Sequence, residues 1–465
     1  MKFTIKIFLL ISAFAVKSSA QIYFNNIYPY GSLLANASSV IEIDTGGYLF
    51  PSSTFGSYES LVINRIDING DTLFTKEYFK PSYYFSTGTS NSIIKTYDNN
   101  YVFSGAIVDS FNNVNSFLVK LTDSGDTLWT KMFGGANFDN ANVVCQTPDS
   151  GFVLMGVTQS FSMGSASDFY LIKTDKNGNF LWQQNYGTTL AEDCVSGQIT
   201  LDGGFILSGH RNNQLHIVKT DNSGTFQWEK VYSATAGQGF VKQLSDSTYI
   251  LVGTKSVAGL SYQAYMAKLT KLGVVIWEKT FGDTGDQQFY TVPIILNDGS
   301  IVCSGISNLG IVMGMLIKTD SLGNEQWLRT YNDPNSSVND YFYDVRQTLD
   351  NGFIMSGFST NGWLVKVDSN GCEIANCNVG INEFQILDSK LLVYPNPSTS
   401  EINISIEGED LNEYEISIVN ILGKAQKIEI NQSVISVSEF SSGIYFILAT
   451  SKEGQKRLSQ KFVKE

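Results

Sequence analysis

One pattern, Lys-Thr-Asp-x-x-Gly-x-x-x-Trp in its clearest form, recurs along this chain and constrains its fold more than any other feature. Its copies end on Gly70, Gly125, Gly178, Gly224, Gly273, Gly323 and Gly371, at intervals of 55, 53, 46, 49, 50 and 48 residues. An aromatic follows four residues later in six of them: Phe74, Trp129, Trp182, Trp228, Trp277 and Trp327. The seventh copy continues Cys372, Glu373, Ile374, Ala375 and has none. A second marker, Asp-Gly-Gly-Phe-Ile-Leu-Ser-Gly over 202–209, falls between the first and returns around Tyr48, Tyr101, Phe152, Phe205, Tyr249, Ile301 and Phe353. Two markers agree on seven units, and their period is that of propeller blades.

Each unit holds four short runs rich in aromatic and β-branched residues and bounded by Asp, Asn and Gly; the best copy has them at 169–174, 180–185, 194–200 and 204–208, across two adjoining units. The Asp-x-x-Gly element suits a hairpin turn in which Asp caps the chain and Gly takes positive φ. With 41 glycines and only 8 prolines in 465 residues, the chain reads as strands and tight turns rather than disorder. A lone four-stranded sheet leaves its faces bare, and radial repetition covers them, with the large Trp filling the wedge between blades. The expectation is an all-β chain: a seven-bladed β-propeller over residues 21–378, followed by a small immunoglobulin-like β-sandwich.

A ring must also close. The seventh unit lacks its Trp-bearing strand, while residues 22–28 form a spare β-like run. Tyr23 lies 24 residues before Gly47, close to the 22 that separate Trp129 from Gly151. The spacing predicts that this N-terminal strand completes the last blade; a free tail beside a three-stranded blade is the alternative.

The first twenty residues read as a signal peptide: Lys2 and Lys6, an apolar run over 7–16, then Ser18-Ser19-Ala20 as the cleavage site. Lys17 interrupts the run too early for a membrane span, and no transmembrane segment is expected after cleavage. The formal charge of −13 and the lack of a basic cluster before the extreme C-terminus argue against a nucleic-acid partner. Five cysteines are too sparse for a disulfide framework; Cys372 and Cys377 are near enough in sequence to bridge, while Cys145, Cys194 and Cys303 read as small buried side chains.

After a polar connector over 379–390 the periodicity stops, and residues 391–465 carry new strand-like runs at 401–406, 414–420, 425–430, 444–450 and 457–463. Here Tyr394-Pro395-Asn396-Pro397-Ser398, Ile404, Ile418 with Asn420, Gly423-Lys424, Ser442-Gly443-Ile444-Tyr445 and Lys461-Phe462-Val463-Lys464 follow in order. This set resembles the type A C-terminal sorting domain of the type IX secretion system of Bacteroidota, with Asn420 where the family commonly has Asp. The resemblance implies the type IX secretion machinery as partner, passage through periplasm and outer membrane, and a secreted or cell-surface protein. It points to Pro395, Asn396, Pro397, Gly423, Gly443, Tyr445, Lys461 and Lys464 as sorting-motif residues, with the terminal lysines meeting an acidic receptor surface. The propeller units are similar to Trp-bearing repeats of secreted proteins in those bacteria, and more distantly to quinoprotein-type repeats, a likeness that carries no activity.

Chemistry leaves little trace. His210 and His216 have no Cys or Glu pair at ligand spacing, so no metal and no cofactor is expected, and no nucleophile–base–acid set appears. Asp67, Asn69 and Asp71 lack the length and the glutamate of a calcium loop. A sialidase is disfavoured because Asp175 to Trp182 spans seven residues, against five in the Asp-box, and only five arginines are present. Asp139, Asp193, Asp286 and Asp340 recur, which marks turn capping rather than catalysis. No catalytic residue is assigned. The expected function is binding of an extracellular glycan, peptide or protein, with a polysaccharide hydrolase or lyase as the alternative. The expected contact face carries the loops after the aromatic strands, with Tyr83, Tyr84, Phe85, Tyr331 and Tyr341 as the platform.

Overall fold

The computed structural model describes residues 22–30, 34–55, 60–78, 84–108, 113–164, 166–232, 235–282, 285–308, 310–333, 339–374, 391–406, 410–420, 425–428, 433–452 and 457–465. The expected signal peptide and linker lie outside these residues. The chain divides into two compact units, Met1–Cys377 and Asn378–Glu465.

The first unit is a seven-bladed β-propeller built from seven antiparallel sheets. Blade 3 shows the plan, with strands Asp139–Gln146, Phe152–Thr158, Asp168–Thr174 and Phe180–Tyr186 side by side in chain order. Its second and third strands are wholly buried, whereas the fourth is largely exposed or half-buried and forms the rim. This is why the middle strands read as continuous apolar runs and the fourth mixes Leu and Trp with Gln and Asn. Each sheet packs on the next, and Leu34–Ala37 of blade 1 packs on Phe353–Phe358 and Gly362–Val367 of blade 7, so the succession is circular.

Both sequence markers serve the contact between blades. The fourth-strand aromatic of one blade lies over the Asp-x-x-Gly glycine of the next: Trp129 on Gly178, Trp182 on Gly224, Trp228 on Gly273, Trp277 on Gly323 and Trp327 on Gly371. Those glycines have φ between +74° and +80°, and a Cβ there would collide with the indole. The same indoles meet the second marker's aromatic, as in Trp129–Phe152 at 6.0 Å and Trp228–Tyr249 at 6.2 Å. Four residues beyond the Trp, a tyrosine hydroxyl donates to the same glycine's carbonyl: Tyr186 to Gly224, Tyr232 to Gly273 and, at 2.8 Å, Tyr331 to Gly371. Within a blade the pattern's lysine pairs with the aspartate of the Asp-Gly-Gly turn, as Lys173–Asp149, Lys219–Asp202 and Lys366–Asp350.

The ring closes as the spare strand requires. Phe24–Tyr28 pairs antiparallel with Gly362–Val367, from Phe24↔Lys366 to Tyr28↔Gly362, and becomes the fourth strand of blade 7. Phe24, not Tyr23, occupies the tryptophan's place: it lies against Gly70 and meets Tyr48 edge-on at 5.9 Å. Tyr28, four residues on, donates to the Gly70 carbonyl at 2.8 Å. The spacing argument therefore errs by one residue. Asp344 reinforces the seam from within: its carboxylate accepts from Ser39 Oγ and the Val40 amide of blade 1 and from Ser90 Oγ of blade 2.

Cys194 and Cys303 are buried free thiols and Cys145 is half-buried. Cys372 is disulfide-bonded; Cys377 lies outside the described residues.

In the second unit a three-stranded sheet (Leu391–Tyr394, Glu401–Ile406, Val434–Ser436) faces a four-stranded one (Ala425–Ile428, Tyr414–Asn420, Gly443–Ser451, Arg457–Lys464). Ile402, Ile404 and Ile406 of one meet Ile416, Ile418, Ile447 and Phe462 of the other in a single core, the sandwich that alternating patterns predict. Sequence reading misses Val434–Ser436, whose three residues are too short for a periodic signal.

Candidate functional site

A four-stranded antiparallel blade sends its Asp-Gly-Gly turn and its Asp-x-x-Gly hairpin to one end of the propeller. Its second-to-third-strand loop and the crossover to the next blade go to the other. The first end is uniform and held by lysine–aspartate pairs; the second carries the irregular segments, where binding residues concentrate.

At that irregular end every innermost strand breaks register at the same height. The break falls between Ala141 and Val143, Cys194 and Ser196, Ala236 and Phe240, and Phe342 and Asp344. In blades 1, 2 and 6 it splits the strand into Leu34–Ala37 and Ile41–Glu42, Tyr84–Thr87 and Ile93–Lys95, and Asp286–Phe289 and Ile294–Ile295. Bulges of this kind re-aim side chains. Here they surround a cavity of about 380 Å³, lined by Asn36, Ser38, Thr87, Gly88, Thr89, Gln238, Tyr290, Tyr341 and Tyr343. Five blades contribute.

The Tyr341 and Tyr343 rings lie parallel, 10° apart in plane with centroids at 6.2 Å, and make a flat aromatic wall. Tyr290 occupies in blade 6 the bulge position that Tyr343 holds in blade 7, and donates to Gln288 Oε1 at 2.9 Å. Burial, then the neighbouring Tyr341 and Tyr343, push the Tyr290 phenol up to about 12; burial and Tyr341 do the same for Tyr343. Both are therefore neutral hydrogen-bonding phenols at neutral pH. Ser38 Oγ donates to Thr87 Oγ1 and Thr89 Oγ1 to the Val195 carbonyl. The Tyr341 and Tyr343 hydroxyls and the Gln238 amide make no hydrogen bond among the described residues. The lining holds no charged side chain.

Of the platform read from sequence, Tyr341 lines this cavity. Tyr331 does not. It is 3 % exposed and belongs to the series of fourth-strand tyrosines bonded to the next blade, which corrects its assignment as a ligand contact. Tyr83 lies outside the described residues; Tyr84 and Phe85 open the innermost strand of blade 2, which also carries Thr87. Asp333 and Asp340 are turned inward, the Asp333 amide donating to Asp340 Oδ2. Tyr290 was legible only through its equivalence to Tyr343, and Asn36 and Gln238 carry no pattern at all.

The recurrent acids also regroup. By register Asp139, Glu192, Gln287 and Asp340 share one position, so Asp193 and Asp286 are each one residue off it. Asp139 caps its own loop, accepting from Thr158 Oγ1, Ser160 Oγ and the Gly135 amide. His216 stands where Tyr170 and Tyr265 stand in the flanking blades. Those tyrosines donate to Gln183 and Glu278, and His216 Nε2 lies 3.1 Å from the equivalent Glu229 Oε2. Burial and Arg211 lower its pKa to about 4, so it serves packing as a neutral ring. Asp67 Oδ1 caps the Asn69 and Asp71 amides. Among the described residues no cluster of acids, cysteines or histidines is arranged to hold a metal.

In the second unit the motif residues converge on the last strand. Asn396 Nδ2 donates to the Lys461 carbonyl and its Oδ1 accepts from the Val463 amide, both at 2.9 Å, while the Ser398 amide donates to the Val463 carbonyl. Tyr445 stacks on Phe462 at 5.5 Å, and Gly443 pairs with Lys464. Pro395 and Pro397 flank Asn396. Lys461 is exposed, but Lys464 is 8 % exposed and donates to the Glu465 carbonyl, so only one of the two lysines is open to solvent. Gly423 lies outside the described residues.

No curated protein matches the chain in sequence. The extracellular domain of a putative hybrid two-component system from Bacteroides thetaiotaomicron aligns at 12 % identity and TM-score 0.47, over 92 % of this chain and 55 % of that one. The BP39L lectin of Burkholderia pseudomallei aligns at 10 % identity and TM-score 0.47, over 73 % and 98 %. PorZ, described as an essential surface component of the type IX secretion system of Porphyromonas gingivalis, aligns at 11 % identity and TM-score 0.35, over 92 % and 75 %. Among the described residues no helix is long and apolar enough to cross a membrane. Residues 392–465 match the secretion-system C-terminal sorting domain, and the chain is accordingly a type IX export substrate delivered to the cell surface or the medium.

Proposed function

We propose that the propeller is an exported carbohydrate-binding module whose glycan seats in the cavity at the irregular end of its channel. The observation that supports this most is the lining: three tyrosines, two amides and three hydroxyls, with no charge, around a volume suited to a small ligand. Aromatic faces cover the apolar faces of sugar rings, and amides with hydroxyls match their alternating donors and acceptors. Binding is favoured over hydrolysis because the lining has no carboxylate. Asp344, which follows the lining residue Tyr343 in the chain, is 1 % exposed and engaged by Ser39, Ser90, Val40 and Arg346. The signal peptide over 1–20 and the sorting domain then act as addresses, with the secretion machinery as their partner.

The test is retention of the full-length mature protein on a panel of cell-wall and host glycans, beside Tyr341→Ala and Tyr343→Ala variants. Loss of retention with an unchanged melting temperature supports the site. Retention equal to the parent's removes this cavity as the contact.

A further inference from the structure

The channel below the neutral mouth carries charge. Beyond the bulge, each innermost strand places one half-buried residue at a common register: Cys145 in blade 3, Gln198 in blade 4, Lys242 in blade 5 and Arg346 in blade 7, with isoleucine in the other three. Blades 3, 5 and 7 are not neighbours in the ring, so these side chains sense one another only across the axis. They do so: burial first, and then Arg346, lower the Lys242 pKa, and Cys145 is its other electrostatic neighbour. Burial lifts the Cys145 thiol to about 11, so it brings no negative charge.

Arg346 is partly compensated, its Nε donating to Asp344 at 3.0 Å. Lys242 has no hydrogen-bond or ion-pair partner among the described residues. Lys176, Lys230 and Lys271 also lack one but are exposed, so among the described residues Lys242 is exceptional as a half-buried propeller lysine without a partner. The pattern lysines Lys120, Lys173, Lys219, Lys268, Lys318 and Lys366 each face an aspartate. An unpaired, half-buried ammonium facing a guanidinium across the axis is unfavourable in isolation, and it becomes favourable when an anion sits between them.

The same strands that line the mouth lead to these cations. Arg346 follows Tyr343 by three residues, about 10 Å of strand, and Lys242 follows the bulge residue Gln238 by four, about 13 Å. A ligand seated against the tyrosines thus has the cations within the length of a short oligosaccharide.

We propose that the channel mouth selects carboxylate-bearing glycans, the sugar ring resting on Tyr341 and Tyr343 and the carboxylate pointing down the channel to Lys242 and Arg346. This rests on the carbohydrate-binding reading above and adds the class of ligand. The overall charge of −13 repels anions at long range, so the preference has a local source.

The experiment is calorimetric titration of the full-length mature protein with short uronate oligosaccharides (galacturonate, glucuronate-containing and mannuronate series), each beside its methyl ester, which keeps the sugar and removes the charge. The parent should bind at least one acid about tenfold or more tightly than its ester, the scale of one charge-assisted contact. Lys242→Met should erase that ratio while leaving ester affinity and melting temperature in place, and Lys242→Arg should restore it. Equal affinity for acids and esters throughout, or a ratio that survives Lys242→Met, overturns the inference. If neutral glycans bind through Tyr341 but no acid is preferred, the carbohydrate reading stands and this one falls. If no glycan binds, both fall.

Discussion

Replacing Phe24 with alanine tests whether seven separate sheets become one ring. Phe24 is 8 % exposed and sits in a cluster with Tyr48, Phe50, Ile66, Ile354 and Leu364, residues of blades 1 and 7. Truncating a buried phenylalanine costs about 3–5 kcal/mol, and the gap cannot refill because Gly70, directly beneath, has no side chain. With an unfolding entropy of about 2.1 cal/mol/K per residue over roughly 350 propeller residues, this lowers Tm by about 4–7 °C. Calorimetry of the mature protein measures it. Tyr28→Phe, which deletes only the hydroxyl bonded to Gly70, should cost about 1 kcal/mol, near 1–2 °C. Leu349→Ser, at an 81 % exposed turn, is the control and should leave Tm in place. A Phe24→Ala protein melting within a degree of the parent would mean that the closing strand contributes nothing that the remaining six interfaces do not.

Three further outcomes are expected. Tyr331→Phe should lower Tm by the same small step as Tyr28→Phe and leave glycan retention untouched, separating the interblade tyrosines from those of the cavity; lost retention would contradict that division. Removal of residues 391–465 should yield a folded propeller that accumulates in the periplasm, as fractionation with a propeller antibody reports; normal arrival at the surface would contradict the sorting role. His216, held near 4 by burial and Arg211 against an unfolded value of about 6.5, favours the folded state in its neutral form. Its contribution is therefore complete above about pH 6.5 and lost as pH falls toward 4. Comparing Tm at pH 7 and pH 4.5 should show a smaller drop for His216→Tyr, which installs the residue of the flanking blades, than for the parent.

Most of the architecture was legible because it repeats. A glycine that must lie under an aromatic, and an aromatic that must cover it, solve the same packing problem in every blade, so the two markers announce the blade number and the interface together. The closing strand was legible in kind but not in register: as the single copy without its own glycine marker, it offered only a spacing, and spacings between blades vary by several residues. Tyr331 was misread although the means to read it were present, since Tyr78, Tyr186 and Tyr232 follow their aromatics at the same distance and recurrence points to structure. The cavity was the least legible part. Its lining comes from five blades, one to three residues each, and the bulges that aim them break the alternation on which a strand reading depends. In the sandwich the motif residues were found by their order, but nothing linear distinguishes the exposed Lys461 from the buried Lys464 three places later.

The closing strand also sets the order in which this protein can become folded. Asn25 and Trp363, joined by a 2.7 Å hydrogen bond across the seam, are 338 positions apart. Bringing such distant segments together costs about 2.5 kcal/mol more chain entropy than closing a 20-residue hairpin. Individual blades have only local loops to close, so they form early, while the seam waits for the last propeller strand. Until then two unpaired strand edges and the apolar floor around Tyr48 and Leu364 are open to other chains. The interval before the two ends meet is when the chain is most prone to aggregation and most in need of a chaperone.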